Sequence, residues 1–516
     1  MNRHLAAVWF LFDSIIGPFE SEPHHLIRRT VNSLCTRPAS GPYVATRPGC
    51  GICFRMFRCF LIFSLCAALG SVAIRPALAE KPALTPPMGW NSWDAYGLTI
   101  DEADYRADTA ILAGLRQYGW KYSVVDEGWY MQDPFADKLA TRKYVWDEHG
   151  ILIPATGRFP SAANGAGFKP LADWVHSQGL KFGIHIVRGI PRQVVDANLP
   201  IANSSFHASD AADTSSPCPW DDGNWGIRDN AAGQAYYDSM LKLYASWGLD
   251  YIKVDCISDR PYRPTEIRQI AEAIKKTHRP ILLSLSPGPT KLEHAAEVAK
   301  YAQMWRIADD HWDVWSTEHK PGQGEFPFGL RDAFDRLAEW APYFRPGNWP
   351  DADMLPEGSL TPHPGWGDPR QSRYTPDEQR TEFTLWAISR SPLILGANLT
   401  KLDDFTRSLI TNREVLEINQ RAIESGQGIM PLKDGSSDPF PQRYWYARTG
   451  GFHPHHYLAV FNLEDHASIS DVPWMVFHLN EKQYAAYDIW NQKHVPRAKT
   501  LHVELPAHGC ALFRVN

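Results

Sequence analysis

Residues 232–255 read AGQAYYDSMLKLYASWGLDYIKVD, and this stretch decides the fold. Tyr237, Met240, Leu241 and Tyr244 recur at helical spacing, and Gly248 is placed to end the helix. YIKVD follows at once. It is nearly continuous in apolar and β-branched residues, which is how a strand covered on both faces reads. A helix that feeds straight into such a strand is the repeating unit of a parallel sheet.

The same alternation extends in both directions. Strands are expected at 88–93, 122–128, 181–186, 251–255, 281–286, 303–308, 350–355 and 392–397. Helical patterns lie between them. One, at 168–180, carries Leu171, Trp174 and Val175 on one face and stops at Gly179; another, at 265–276, carries Ile267, Ile270, Ala271 and Ile274. Eight strand–helix units point to an α/β fold, a (β/α)8 TIM barrel over residues 80–422. A doubly wound open sheet is the rival, and no GxGxxG follows the first strand to support it. After residue 422 the rhythm changes. RYWYAR, HYLAVFN, YAAYDIW, LHVEL and CALFRV are short, alternating and separated by turn residues. They predict a small antiparallel β-sandwich domain over 423–516.

The chain before the barrel is different in kind. Residues 1–79 hold eight Arg, no Lys and three acids, a net of +5, against -6 for all 516 residues. Within it, Met56 and Arg58 precede an apolar run from Cys59 to Ile74, and Ala77-Leu78-Ala79 precede Glu80. That is the pattern of a secretory signal peptide over 56–79. Residues 1–55 are then read as a non-native upstream extension, with translation starting at Met56. The expectation is an exported protein, periplasmic or secreted, with no membrane association after cleavage. Five of the eight Cys precede Glu80, so Cys218, Cys256 and Cys510 do not make a disulfide scaffold.

Composition narrows the function class. Hydrophobic residues make up 44% and charged residues 21%, which excludes a disordered chain. The net negative charge argues against a nucleic-acid partner. The 20 Trp suit either a large core or a site that packs flat rings against sugars. In a barrel of this kind the chemistry gathers at the C-terminal ends of the strands. The polar residues there are Trp93, Asp126, Glu127, His185, Lys253, Asp255, Ser284, Ser286, Arg306, Asp309, Asp310, Asp351 and Asp353.

Lys253 and Asp255 are two apart in a strand and share a face. The ammonium lowers the carboxyl pKa, which suits a nucleophile and equally a structural ion pair. WRIADDHWD at 305–313 sets two carboxyls side by side, where each raises the other's pKa. That suits a general acid, and also an acidic turn that caps the next helix. Two carboxyls in different environments on opposite sides of a barrel mouth meet the requirement for glycosidic bond cleavage. Asp309, Asp310 and Asp313 lack EF-hand spacing, and HPHH at 453–456 lies in the β domain, so no metal is expected. GxxxxGK[ST] and GxSxG are both absent.

Seven motifs then occur in order: TPPMGWNSW (85–93), VVDEGWY (124–130), GLKFGIH (179–185), WGLDYIKVDC (247–256), MWRIADD (304–310), NWPDADML (348–355) and SPLILGANL (391–399). Together they resemble glycoside hydrolase family 27, the α-galactosidase and α-N-acetylgalactosaminidase group. The resemblance implies a retaining glycosidase that needs no cofactor and releases terminal α-D-galactose from α-galactoside oligosaccharides or polysaccharides. It implies Asp255 as nucleophile. It implies Asp310 as acid/base, because the family's acid follows an Arg by four positions. Asp126 and Glu127 match the acidic pair that holds sugar hydroxyls; Trp93, Lys253 and Arg306 match other substrate contacts.

Three departures from the family pattern bear on specificity. His185 stands where Tyr is common. Ser286 or its neighbours in SLSPGP (284–289) stand where many α-galactosidases carry Glu, leaving room for a bulkier 2-substituent. Cys256 follows the nucleophile by one position instead of two, which leaves a Cys218–Cys256 disulfide open after export. The alternatives are therefore α-N-acetylgalactosaminides, β-L-arabinopyranosides or α-glucans as substrates, or a sugar-binding protein on a dead barrel.

Overall fold

The computed structural model describes residues 82–135, 142–221, 223–318, 324–360, 368–430, 442–480 and 482–515. The expected extension (1–55) and signal peptide (56–79) lie outside the described residues. Eight parallel strands are β1 (Met88–Asn91), β2 (Tyr122–Val125), β3 (Lys181–Val187), β4 (Tyr251–Asp255), β5 (Leu282–Leu285), β6 (Met304–Arg306), β7 (Trp349–Asp351) and β8 (Leu393–Leu395). They pair in chain order from β1 to β7, and β8 pairs with β1. The ring closes between β7 and β8 through the backbone of Leu355. Its N–H donates to Ile394 at 2.8 Å, and its carbonyl accepts from Gly396 at 3.1 Å.

Strand alternation sorts the side chains. Tyr122 and Val124, Tyr251, Leu282, Met304 and Ile394 fill the barrel axis, while Val125, Ile252, Val254 and Leu283 join the outer core under the helices. Lys253 and Asp255 continue the inward row that Tyr251 begins, so the row turns from apolar to charged at the rim. The helix Ala231–Trp247 begins on Asn230, whose side chain accepts from Gly233 N–H, and ends on Gly248 at φ 98°. Most strands stop short of their expected ends. β2 ends at Val125 because Glu127 and Gly128 already turn, with Gly128 at φ 97°.

The antiparallel domain begins at Ala422. It consists of β9 (Ala422–Gly428), β10 (Gln442–Thr449), β11 (His456–Asn462), β12 (Ser468–Pro473), β13 (Tyr484–Asp488), β14 (Lys493–Ala498), β15 (Thr500–Leu505) and β16 (Cys510–Val515). Six strands form one sheet in the order β9-β10-β11-β16-β13-β14, and β12 pairs with β15 in a second. The period-two pattern serves two cores. Leu458, Val460, Phe513 and Val515 face Val472, Leu501, Val503 and Leu505 inside the sandwich. Tyr457, Ala459, Phe461 and Leu512 face the barrel and join its core. They pack near the buried helix Pro376–Ser389, whose Thr384 hydroxyl accepts from Trp490 Nε1 at 3.0 Å. The sandwich therefore closes one flank of the barrel with a shared core.

Candidate active site

A cavity of about 330 Å³ opens at the C-terminal ends of the barrel strands. Its wall includes ten of the thirteen polar rim residues read from sequence: Trp93, Asp126, Glu127, His185, Lys253, Asp255, Arg306, Asp309, Asp310 and Asp353. Ser286 stands apart. It is buried and outside the cavity wall, and its hydroxyl donates to Asp255 Oδ2 at 3.2 Å. The sequence reading makes it a substrate contact; in the structure its hydroxyl is turned towards the Asp255 carboxylate.

On the side built by β2, β3 and β4, Lys253 and several hydrogen-bond donors surround two carboxylates. Asp126 Oδ2 lies 3.0 Å from Lys253 Nζ and accepts from Asn91 Nδ2 at 2.6 Å, while Oδ1 accepts from Glu127 N–H at 2.8 Å. Burial pushes the Asp126 pKa up, but Lys253, His185 and these donors overcome it and hold the group well below the usual carboxylate range. Asp255 behaves the same way. Burial opposes its ionisation, and His185 and Lys253 reverse the balance. Its Oδ2 faces His185 Nε2 at 3.6 Å, and its Oδ1 accepts from Trp220 Nε1 at 3.2 Å. Glu127 goes the opposite way. Burial and the charges of Asp221, Asp255 and Asp126 push it well up. The acidic pair thus splits into a pure acceptor, Asp126, and a carboxyl able to donate, Glu127.

On the side built by β6 and β7, carboxyls outnumber cations. Arg306 pairs with Asp353 at 2.8 Å and with Asp310 at 3.2 Å. Burial, together with Asp353 and Asp255, raises Asp310 to about 6 in spite of Arg306. Burial and Asp353 raise Asp351 to about 7. Asp309 is committed elsewhere. It is ion-paired with Arg260 and accepts from Glu325 N–H at 2.6 Å. Of the adjacent pair, Asp310 is therefore the one available to a substrate. Asp313 is held bidentately by Arg370 at 2.6 and 3.0 Å, away from any shared ligand set with Asp309 and Asp310. Among the described residues, no group of three or more His, Cys, Asp or Glu is arranged to hold a metal ion.

Several wall residues escape the sequence reading. Asp94 is buried beside the cavity, its pKa pushed well up by burial and by Asp353. Its adjacency to Trp93 is the only hint the sequence offers. Arg142, Trp220, Asp221 and Phe326 come from inserted segments between barrel strands, which carry no periodic signal. Cys218 and Cys256 form a disulfide with Cα atoms 6.0 Å apart, which ties the Trp220 segment to the end of β4. Beneath the acid side, His311 Nε2 lies 2.5 Å from Glu382 Oε1, and His311 N–H donates to Asp353 Oδ2 at 2.8 Å.

The sequence matches the family described as alpha galactosidase A over residues 221–421, and the alpha galactosidase C-terminal beta sandwich domain over 444–515. It is 28% identical over 470 residues to alpha-galactosidase A of Cellvibrio japonicus, covering 87% of this chain and 96% of that one. Among solved structures, a GH27 β-L-arabinopyranosidase of Geobacillus stearothermophilus is 40% identical with a TM-score of 0.76, covering 84% of this chain and 97% of that one. A putative α-N-acetylgalactosaminidase of Bacillus halodurans is 36% identical with a TM-score of 0.71, over the same 84% and 97%. With identity at that level across nearly the whole of a solved member, together with both domain matches, the chain belongs to glycoside hydrolase family 27.

Proposed function

We propose that this chain is a retaining glycosidase that releases terminal α-D-galactose from α-galactosides by double displacement. One observation carries the reading. A carboxyl held charged, Asp255, and a carboxyl held protonated up to about 6, Asp310, line a single cavity. Asp255 attacks the anomeric carbon while Asp310 gives its proton to the departing glycosidic oxygen. The resulting Asp310 carboxylate then takes a proton from water. The hydroxide so formed attacks the anomeric carbon, breaks the bond to Asp255 and releases the sugar. Asp126, Glu127 and Lys253 are placed to hold ring hydroxyls, and Trp93 offers an apolar wall.

A second reading has its own support. Identity to the solved β-L-arabinopyranosidase is 40%, against 28% to the Cellvibrio japonicus alpha-galactosidase A. β-L-Arabinopyranose has the ring configuration of α-D-galactopyranose without the exocyclic hydroxymethyl group, so one cavity can serve both. Aryl α-D-galactoside, β-L-arabinopyranoside, α-N-acetylgalactosaminide and α-glucoside, assayed side by side, rank the candidates. Turnover of none of the four, with sugar binding retained, would overturn the enzyme reading.

Export accompanies this function in our reading. The Cys218–Cys256 disulfide supports it, since such bonds persist outside reducing compartments. N-terminal sequencing of the mature protein should begin at Glu80; a start well upstream would refute the cleavage site.

A further inference from the structure

The rim of the cavity carries two large, half-exposed rings, Trp220 at 46% and Phe326 at 50%. Trp220 is the more informative. Its single polar atom is already engaged, because Nε1 donates to Asp255 Oδ1 at 3.2 Å. The other oxygen of Asp255 accepts from Ser286. Trp220 thus completes the set of donors that fixes the rotation of the Asp255 carboxylate. It is held there by the covalent tie from Cys218, two residues earlier, to Cys256, one residue after Asp255.

The residue is nonetheless half exposed where it lines the cavity. Exposure grades outward across the cavity: the side chain of Asp126 is 2% exposed, that of Asp255 17% and that of Asp310 35%. The charged, buried end fits the terminal sugar and its hydroxyls. Asp310 marks the position of the glycosidic oxygen, so whatever leaves must lie on its open side. Trp220 and Phe326 are the two exposed large apolar side chains of the cavity wall. Flat apolar rings match the C–H faces of a pyranose, as they match other apolar faces.

We propose that Trp220 is a specificity-determining residue with two functions: its indole N–H orients the Asp255 nucleophile, and its exposed ring, with Phe326, forms the binding floor for a sugar leaving group. This rests on the glycosidase reading above and adds a leaving-group subsite to it. Trp220→Phe removes the N–H and keeps a ring; Trp220→Ala removes both. Two substrates separate the functions. A disaccharide with the preferred terminal sugar has a leaving pyranose, and the corresponding glycosyl fluoride has none.

The test compares kcat/KM for the full-length wild type and both variants. Trp220→Phe should lower kcat/KM about fivefold on both substrates, because both need the oriented nucleophile. Trp220→Ala should cost a further tenfold or more on the disaccharide and nothing further on the fluoride. An equal further loss on both substrates would overturn the subsite, as would Trp220→Ala matching Trp220→Phe on the disaccharide. An undiminished Trp220→Phe enzyme would overturn the orienting role. Thermal midpoints measured alongside identify a folding defect. A large drop in Trp220→Ala accompanied by uniform kinetic loss would make Trp220 structural and also refute the proposal. If the wild type cleaves no glycoside of the aryl series, the glycosidase reading itself fails, which is a distinct result from failure of the subsite alone.

Discussion

On one side of the barrel mouth, Asp126 and Asp255 lie beside Lys253 and His185. On the other, Asp310, Asp351 and Asp353 cluster around Arg306, with Lys253 acting on them more weakly. Both sides are buried, so desolvation pushes every one of these carboxyls that shifts upward. On the first side Lys253, His185 and the hydrogen-bond donors together overcome that push. On the second, Arg306 is divided among several acids, and even with Lys253 behind it burial and the neighbouring carboxylates prevail. The same residue type therefore yields a carboxylate on one side and a carboxylic acid on the other. The ratio of cations to carboxyls decides which, and the division of roles in a retaining mechanism follows from it.

The largest break in this contrast removes the charged partner outright. Asp255→Asn should abolish turnover, a loss on the order of 10⁴-fold or more in kcat, as with other essential nucleophiles. Residual activity within tenfold of wild type would place the nucleophile elsewhere. Asp310→Asn should cost about 10²–10⁴-fold in kcat/KM on a disaccharide, the range for general acid catalysis. An activated aryl glycoside, whose leaving group hardly needs a proton, should lose far less. Equal losses on both would sink the acid assignment. The wild-type profile adds a sign. Asp310 must be protonated to act, so kcat/KM should fall as pH rises through about 6.

A smaller effect comes from changing the cation count alone. Lys253→Met leaves both catalytic carboxyls in place but removes the charge that lowers Asp126 and helps to lower Asp255. Asp255 works as a carboxylate, so the acid limb of kcat/KM should move to higher pH, by roughly 1–3 units for the loss of one close opposite charge. A depressed profile with an unmoved acid limb would show that Lys253 only binds substrate.

How much of this was legible from the chain follows the same physics. All eight barrel strands could be read because strands covered on both faces are apolar without a break, as in YSVVD and YIKVD. The rim residues Asp126, His185, Lys253 and Asp255 could be read because strand alternation forces them inward. Trp220, Arg142 and Phe326 could not, since inserted segments reach the cavity by paths that no periodicity records. Ser286 was found by position, but its direction depends on how the chain turns after β5. The pairing of His311 with Glu382, 71 residues apart, is a fact of tertiary packing alone.

That pairing sets up the smallest predicted effect and bears directly on the cation count. His311 Nδ1 lies 3.0 Å from the carbonyl oxygen of Phe328, which can only accept, so Nδ1 carries a proton. One further proton lies between Nε2 and Glu382. Burial pushes His311 down to about 4 and pushes Glu382 well up, although a hydrogen bond from the Glu357 carboxyl lowers it. His311 is then neutral. Were it charged, a further cation would stand beside Asp353 on the acid side. Glu382→Gln keeps a donor towards Nε2, so kcat/KM should change by about twofold or less, and the limb set by Asp310 should not move. Stability should respond with a definite sign. A carboxyl whose pKa is raised by folding contributes fully below its ordinary value of 4.5, and that contribution is lost as pH rises. Gln pays no such penalty, so the melting temperature of Glu382→Gln relative to wild type should climb between pH 5 and pH 8. If the substitution instead destabilises the protein more at pH 8 than at pH 5 and shifts the Asp310 limb, His311 and Glu382 form an ion pair, and His311 adds its charge to the acid side.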